Sequence, residues 1–199
     1  MSGAFPISTA KFQSLGIKSI QNTIISKSQS GKKLARQIDG QRFGFTARII
    51  TAKRSDVYGD LMAFIIKQRS GKENFTIIPP EIEDARGTAS GIPHGTASAG
   101  ATSITLGGTG TGTLKAGDFI KFANHDKIYM VVADQSDIST GSLTIEPPLT
   151  TAISSSNITY DNVPFTVHLT NDIQEFGVVG ADKDGNALYQ FEFDVEESL

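Results

Sequence analysis

Along "QRFGFTARII", residues 41–50, Phe43, Phe45, Ala47 and Ile49 alternate with Arg42, Thr46 and Arg48. A period of two marks a strand with one buried face. The same period is cleanest in "ALYQFEFDVEE", where Tyr189, Phe191, Phe193 and Val195 oppose Gln190, Glu192 and Asp194. It returns in "VPFTVHLTN" with Phe165, Val167 and Leu169 on one side. Residues 17–25, "GIKSIQNTI", hold branched residues without a helical stripe and predict another strand. "ENFTII" predicts a strand that stops at Pro79-Pro80, because proline has no N–H to continue a ladder.

One stretch changes period. In residues 55–70, "SDVYGDLMAFIIKQRS", Val57, Leu61, Phe64 and Ile65 follow an i, i+4, i+7, i+8 pattern. Ser55 is placed to cap this helix and Gly71 to end it; early Asp56 and Asp60 and late Lys67 and Arg69 suit the helix dipole. The segment before the 41–50 strand, "SKSQSGKKLARQIDG", is polar with two turn glycines and reads as an exposed loop.

Composition shifts after residue 83. Residues 84–116 are rich in Gly, Ala, Ser and Thr, yet "SITL" at 103–106 interrupts them with a short strand pattern. "DFIKF", "KIYMVVA" and "SLTIEPPL" follow as three more strand candidates separated by turns. The expected fold is mainly β with one α-helix: a sandwich- or barrel-like outer domain, 1–87 plus 161–199, interrupted by a small β-barrel or sandwich module, 88–160. The length of 199 residues accommodates both, and 20% charged residues argue against disorder.

Charge changes the picture further. Residues 1–80 contain 13 Lys and Arg against 4 Asp and Glu, whereas residues 81–199 contain 5 against 17. Such a split fits either a nucleic-acid-binding half or two surfaces that attract each other, within one chain or between copies. The basic residues are not interleaved with aromatics as a strand-binding groove needs, which favours the second reading. Arg42, Arg48, Lys32, Lys33 and Arg36 are the candidate interface residues. There is no cysteine, hence no disulfide and no thiolate chemistry. No apolar run approaches the ~20 residues of a membrane helix and the start lacks an apolar leader core, so a chain folded in a cytoplasm is expected.

Candidate chemistry centres on Asn124-His125-Asp126-Lys127. A catalytic reading needs a nucleophile or a three-ligand metal nearby. A hairpin reading needs only turn-forming residues between two β runs, and Ala123–Lys127 supplies them. On that reading His125 is a surface side chain. "GGTGTGTLKAGD" lacks the Ser or Thr after lysine and the helix of a phosphate-binding loop. "DKDGN" at 182–186 has Phe193 where a calcium loop needs its twelfth-position Glu, so it reads as a turn. Glu196 and Glu197 read as solvated. The expected catalytic, cofactor and metal residues are none.

Taken together, "SGKKLARQIDGQRFGFTARI", the helix "DLMAFIIKQRSGKENFTIIPP" and the module "LKAGDFIKFANHDKIYMVVAD…SLTIEPPL" resemble tail proteins of tailed bacteriophages, close to the distal tail protein type. The resemblance implies a non-enzymatic virion structural protein of the tail or baseplate, assembled in the host cytoplasm. It implies a belt domain that carries a helix, a peripheral β-module, and a homo-oligomeric ring, with a hexamer favoured. Its partners would be tube and baseplate hub proteins, with no membrane and no direct nucleic-acid binding. The alternatives are a carbohydrate- or nucleic-acid-binding β-barrel, or a neck or adaptor virion protein.

Overall fold

The computed structural model describes residues 3–8 and 11–198. Six strands form one sheet: β1 (Phe12–Lys27), β2 (Lys33–Lys53), β3 (Phe75–Ile77), β10 (Phe165–Leu169), β11 (Phe176–Ala181) and β12 (Ala187–Glu197). Their order is β1-β2-β12-β10-β3, with β11 added beside the first half of β12. The remaining six, β4 (Pro93–Ala97), β5 (Ser103–Gly108), β6 (Phe119–Phe122), β7 (Ile128–Val131), β8 (Ser142–Glu146) and β9 (Ile153–Thr159), close into a barrel in the order β4-β5-β8-β7-β6-β9.

The alternations of β2 and β12 meet in register: Phe45 faces Val195, Ala47 faces Phe193 and Ile49 faces Phe191. All six are buried, so the two clearest patterns in the sequence make the centre of one core. Phe45 and Phe165 of β10 pack edge to face at 4.9 Å. The sheet curls strongly. The ring of Phe5 lies 5.9 Å from Phe12 on β1 and 6.1 Å from Phe75 on β3, bridging strands at opposite ends of the sheet.

The helix covers this core from one side. Its first turn, Arg54–Tyr58, is π-helical and runs directly into α1 (Gly59–Lys67). Val57, Leu61 and Ile65 are buried, and Phe64 is half-buried against Phe5 and Phe75. Ser55 does not cap the helix; its hydroxyl lies 3.0 Å from the neighbouring Asp56 carboxylate. The left-handed residues after the helix are Arg69 and Ser70, not Gly71. Gly71 serves close approach instead: a Cβ there would stand 2.5 Å from the Leu169 carbonyl oxygen.

The expected loop before β2 is instead paired backbone. β1 and β2 continue past the body of the sheet as a two-stranded arm, Asn22 opposite Ile38 through Lys27 opposite Lys33, turned at Ser28–Lys32. The segment is polar because both faces of the arm are exposed to solvent, so its return strand carries no core-facing alternation.

Inside the barrel, Ile120, Phe122, Tyr129, Val131, Leu143 and Ile145 form the centre of a second core. Gly95 is required there, since a Cβ would lie 2.7 Å from the Ile104 side chain. Strands β4 and β9 were not legible in the Gly/Ser/Thr-rich segments that form them. Leu61 lies fully buried on the apolar side of α1, while Ile66 is 74% exposed. Leu61→Ala should therefore cost roughly 2–5 kcal/mol in urea unfolding, and Ile66→Ala no more than about 0.5 kcal/mol.

Candidate functional site

The hairpin β6–β7 faces both cores. Ile120, Phe122, Tyr129 and Val131 point into the barrel, while Phe119, Ile128 and Met130 join the core of the sheet. Phe119 packs edge to face on Phe43 of β2 at 5.2 Å and on Phe165 at 5.6 Å. Its loop, Ala123–Lys127, is the stretch in question. The hairpin is real, but its side chains are not all solvated.

Lys127 is only 4% exposed and Glu197 0%. The Lys127 ammonium lies 2.5 Å from Glu197 Oε2 and donates to Gln41 Oε1 at 3.1 Å. The same carboxylate accepts the Phe43 N–H on Oε2 at 3.1 Å and the Ile128 N–H on Oε1 at 2.7 Å. The Phe43 ring lies 5.0 Å from the ammonium. Burial pulls the Lys127 pKa below the ordinary lysine range, and Glu197, by charge and hydrogen bond, opposes that shift. Glu197 is thus not solvated as its pairing with Glu196 suggested. The overlooked signal is parity: Glu197 continues the inward positions Phe191, Phe193 and Val195, and Gln41 continues Phe43, Phe45, Ala47 and Ile49.

His125 is half-buried rather than a free surface group. Its ring stacks on Phe122 at 6.0 Å; its Nε2 lies 2.8 Å from the Tyr129 hydroxyl and its Nδ1 2.8 Å from Asn124 Oδ1. The Tyr129 hydroxyl also lies 3.0 Å from Thr150 Oγ1 and accepts the Thr150 N–H at 3.1 Å. Burial lowers the His125 pKa, Asp126 opposes this, and Lys121 and Lys127 add to it. Burial likewise raises the Tyr129 pKa, with the Thr150 hydrogen bonds opposing. Asp126 is engaged by Lys121 at 2.7 Å. Each polar group of the loop is therefore committed to a neighbour of its own chain. The set can orient strands; it presents no activated nucleophile. A cleft of about 500 Å³ opens beside it, lined in part by Gln41, Lys127, Pro148 and Thr150.

The other motifs resolve as turns. Asp182 accepts the N–H groups of Asp184 and Asn186 at 2.9 and 2.8 Å and pairs with Lys53, which holds its pKa far below the usual carboxylate range. Lys115 of the Gly-rich stretch pairs with Asp134 at 2.9 Å. Among the described residues, no group of three or more His, Asp or Glu is placed to hold a metal ion.

The five candidate interface residues fall on two parts of the sheet, Arg42 and Arg48 in its body and Lys32, Lys33 and Arg36 on the arm. Arg48 binds Glu192 at 2.5 and 2.9 Å, and Arg42 approaches Glu196 at 3.8 Å, both across β2–β12. Lys32, Lys33 and Arg36 lie exposed on the arm and make no ion pair among the described residues.

The closed barrel bounded by two passages into the curled sheet can be compared with known families. Residues 84–163 match the family model of the Distal tail protein pb9, B domain. All six barrel strands fall within that match. No curated protein matches the chain. The match makes the barrel similar to a domain of a phage distal tail protein and supports a structural role in a phage tail.

Two outcomes are expected at this site. Lys127→Met leaves a buried carboxylate without its cation and should destabilise by roughly 3–5 kcal/mol, whereas Lys127→Met with Glu197→Gln should recover part of that loss; urea unfolding of both reads the difference. His125 has a folded pKa below its reference value of 6.5. The unfolded chain then binds the proton more readily, so stability should fall as pH drops from about 6.5 towards the folded pKa and level off below it. His125→Gln should flatten that part of the curve; an unchanged slope would assign it to other groups.

Proposed function

We propose that the chain is a ring-forming component of a phage tail that joins the tail tube to baseplate or fibre proteins. The barrel's match to a distal tail protein domain carries this reading. The arrangement of charge supports it, since complementary surfaces on one chain suit head-to-tail contacts that close into rings. The sheet with its helix, residues 1–87 plus 161–199, would be the belt that makes the ring. The barrel, residues 88–160, would be a module inserted into it and held by the Lys127–Glu197 pair. A hexamer is the expected ring, with tube and baseplate hub proteins as axial neighbours and the virion tail, assembled in the host cytoplasm, as location.

Native mass measurement and negative-stain imaging of the purified protein test this directly. Rings of one defined stoichiometry are expected, loosening as salt rises because the screening length falls from ~10 Å at 0.1 M to ~3 Å at 1 M. Replacing residues 88–160 by a short Gly/Ser linker also removes Phe119, Ile128 and Lys127 from the core of the sheet, so circular dichroism must first show the sheet folded; rings of smaller mass per subunit are then expected. Loss of the rings on that deletion, with the sheet still folded, would move the ring contact to the barrel.

A further inference from the structure

The arm leaves unusual apolar surface in water. Ile24, Ile25, Leu34 and Ile38 are between 46% and 57% exposed. Cross-strand register sorts them. Ile24 faces Arg36, Ser26 faces Leu34 and Asn22 faces Ile38, so one face presents Ile24, Leu34 and Ile38 around the Arg36 guanidinium. The other face carries Ile25 with Lys27 and Lys33. A two-stranded ribbon with no third layer is marginal in water, and contiguous exposed apolar surface marks an interaction site.

A second unpartnered surface lies beyond the other end of β2. Ile173, Val178 and Val179 are exposed around β11, whose only strand partner among the described residues is β12. A shallow groove of about 350 Å³ runs there, lined by Ile173, Glu175, Val179, Gln190, Arg48 and Glu192. Arg48 is taken by Glu192, which leaves Glu175 without an ion pair among the described residues. Residues 171–186 contain four carboxylates and one lysine, and the arm, residues 21–39, four cations and one carboxylate. The groove's row, Ile173-x-Glu175-x-Gly177-x-Val179, mirrors the arm's row, Leu34-x-Arg36-x-Ile38, with opposite charge.

The arm cannot reach the groove of its own chain. Arg36 and Arg48 stand twelve residues apart on the same strand, about 40 Å at ~3.3 Å per residue. We propose that the arm of one copy docks in the β11 groove of the next, Arg36 meeting Glu175 and Ile24, Leu34 and Ile38 covering Ile173 and Val179. The contact is head-to-tail, so it propagates until the rotation closes. It rests on the ring reading and gives that ring its junction.

The test uses full-length protein, with sedimentation velocity at 0.1 M salt and circular dichroism to confirm that each variant is folded. The arm variant Ile24→Ser/Leu34→Ser and the groove variant Glu175→Arg/Val179→Ser alter exposed side chains only. Each alone should lose the oligomer at concentrations where the unaltered chain assembles. Mixed one to one they keep one intact arm and one intact groove, and should give dimers and nothing larger. Arg36→Glu with Glu175→Arg in the same chain should restore assembly. If the unaltered chain assembles and both variants do too, the ring stands and this junction is wrong. If the groove variant still assembles while the arm variant does not, the arms meet each other and the head-to-tail contact is overturned; if each variant is monomeric and the mixture forms no dimer, the arm does not dock in the groove and the contact is overturned as well. If the unaltered chain is monomeric at every concentration, the junction falls together with self-assembly.

Discussion

Glu197 takes hydrogen bonds from three donors with two oxygens, and those donors belong to β2, to β7 and to the loop before β7. That single carboxylate therefore ties the sheet to the barrel. Burying an ion pair is seldom favourable in itself, because desolvating both charges offsets most of their attraction. What it supplies is geometry. A one-residue slip of β12 against β2 would turn Glu197 to solvent and Glu196 inward, leaving Lys127 buried without its carboxylate. The apolar contacts of Phe119 and Ile128 with Phe43 and Phe165 contribute the area; the pair makes them compatible with one register only.

Charge works differently on the outer face of the same sheet. Lys18 meets Asp194, Arg42 meets Glu196, Arg48 meets Glu192 and Lys53 meets Asp182. Each pair joins the basic first part of the sequence to the acidic last part. The lopsided charge is thus partly the signature of a fold in which the first long strand lies beside the last. Exposed pairs of this kind contribute little each, roughly 0–1 kcal/mol, so they refine a register that the inward phenylalanines set. Lys32, Lys33 and Arg36 of the arm and Glu175 beside β11 are among the charges that these pairs do not engage.

How much was legible follows from the same physics. The period-two runs of β2, β10 and β12 were plain because one face of each meets the core. The hairpin at Ala123–Lys127 was plain because turn residues separate two apolar runs. The barrel was visible as a composition change, although the polar β9, "ISSSNIT", gave little sign of a strand. The arm was half legible: branched residues marked its outgoing strand within 17–25, but its return from Lys33 to Ile38 was not, since a ribbon wet on both faces has no alternation to show. Lys127 and Glu197 were hidden for a different reason. Their types say surface, and only the parity of β12 says otherwise; a burial decided by a partner seventy residues away in the sequence leaves no local trace.

These two failures have a common form, and it bears on how the chain assembles. In both, sequence polarity was read as if water were the only alternative to the core. Lys127 is polar because its site contains a carboxylate. The arm is mixed, with Ile24, Leu34 and Ile38 set around Arg36, and a solvated loop would need no isoleucine. A ribbon that buries nothing in its own chain still has to offset the entropy of holding its strands in place. Its own backbone pairs give little margin for that. The additional stabilisation has to come from surface covered after folding, which is the arrangement expected of an element whose final neighbour is another copy rather than its own core.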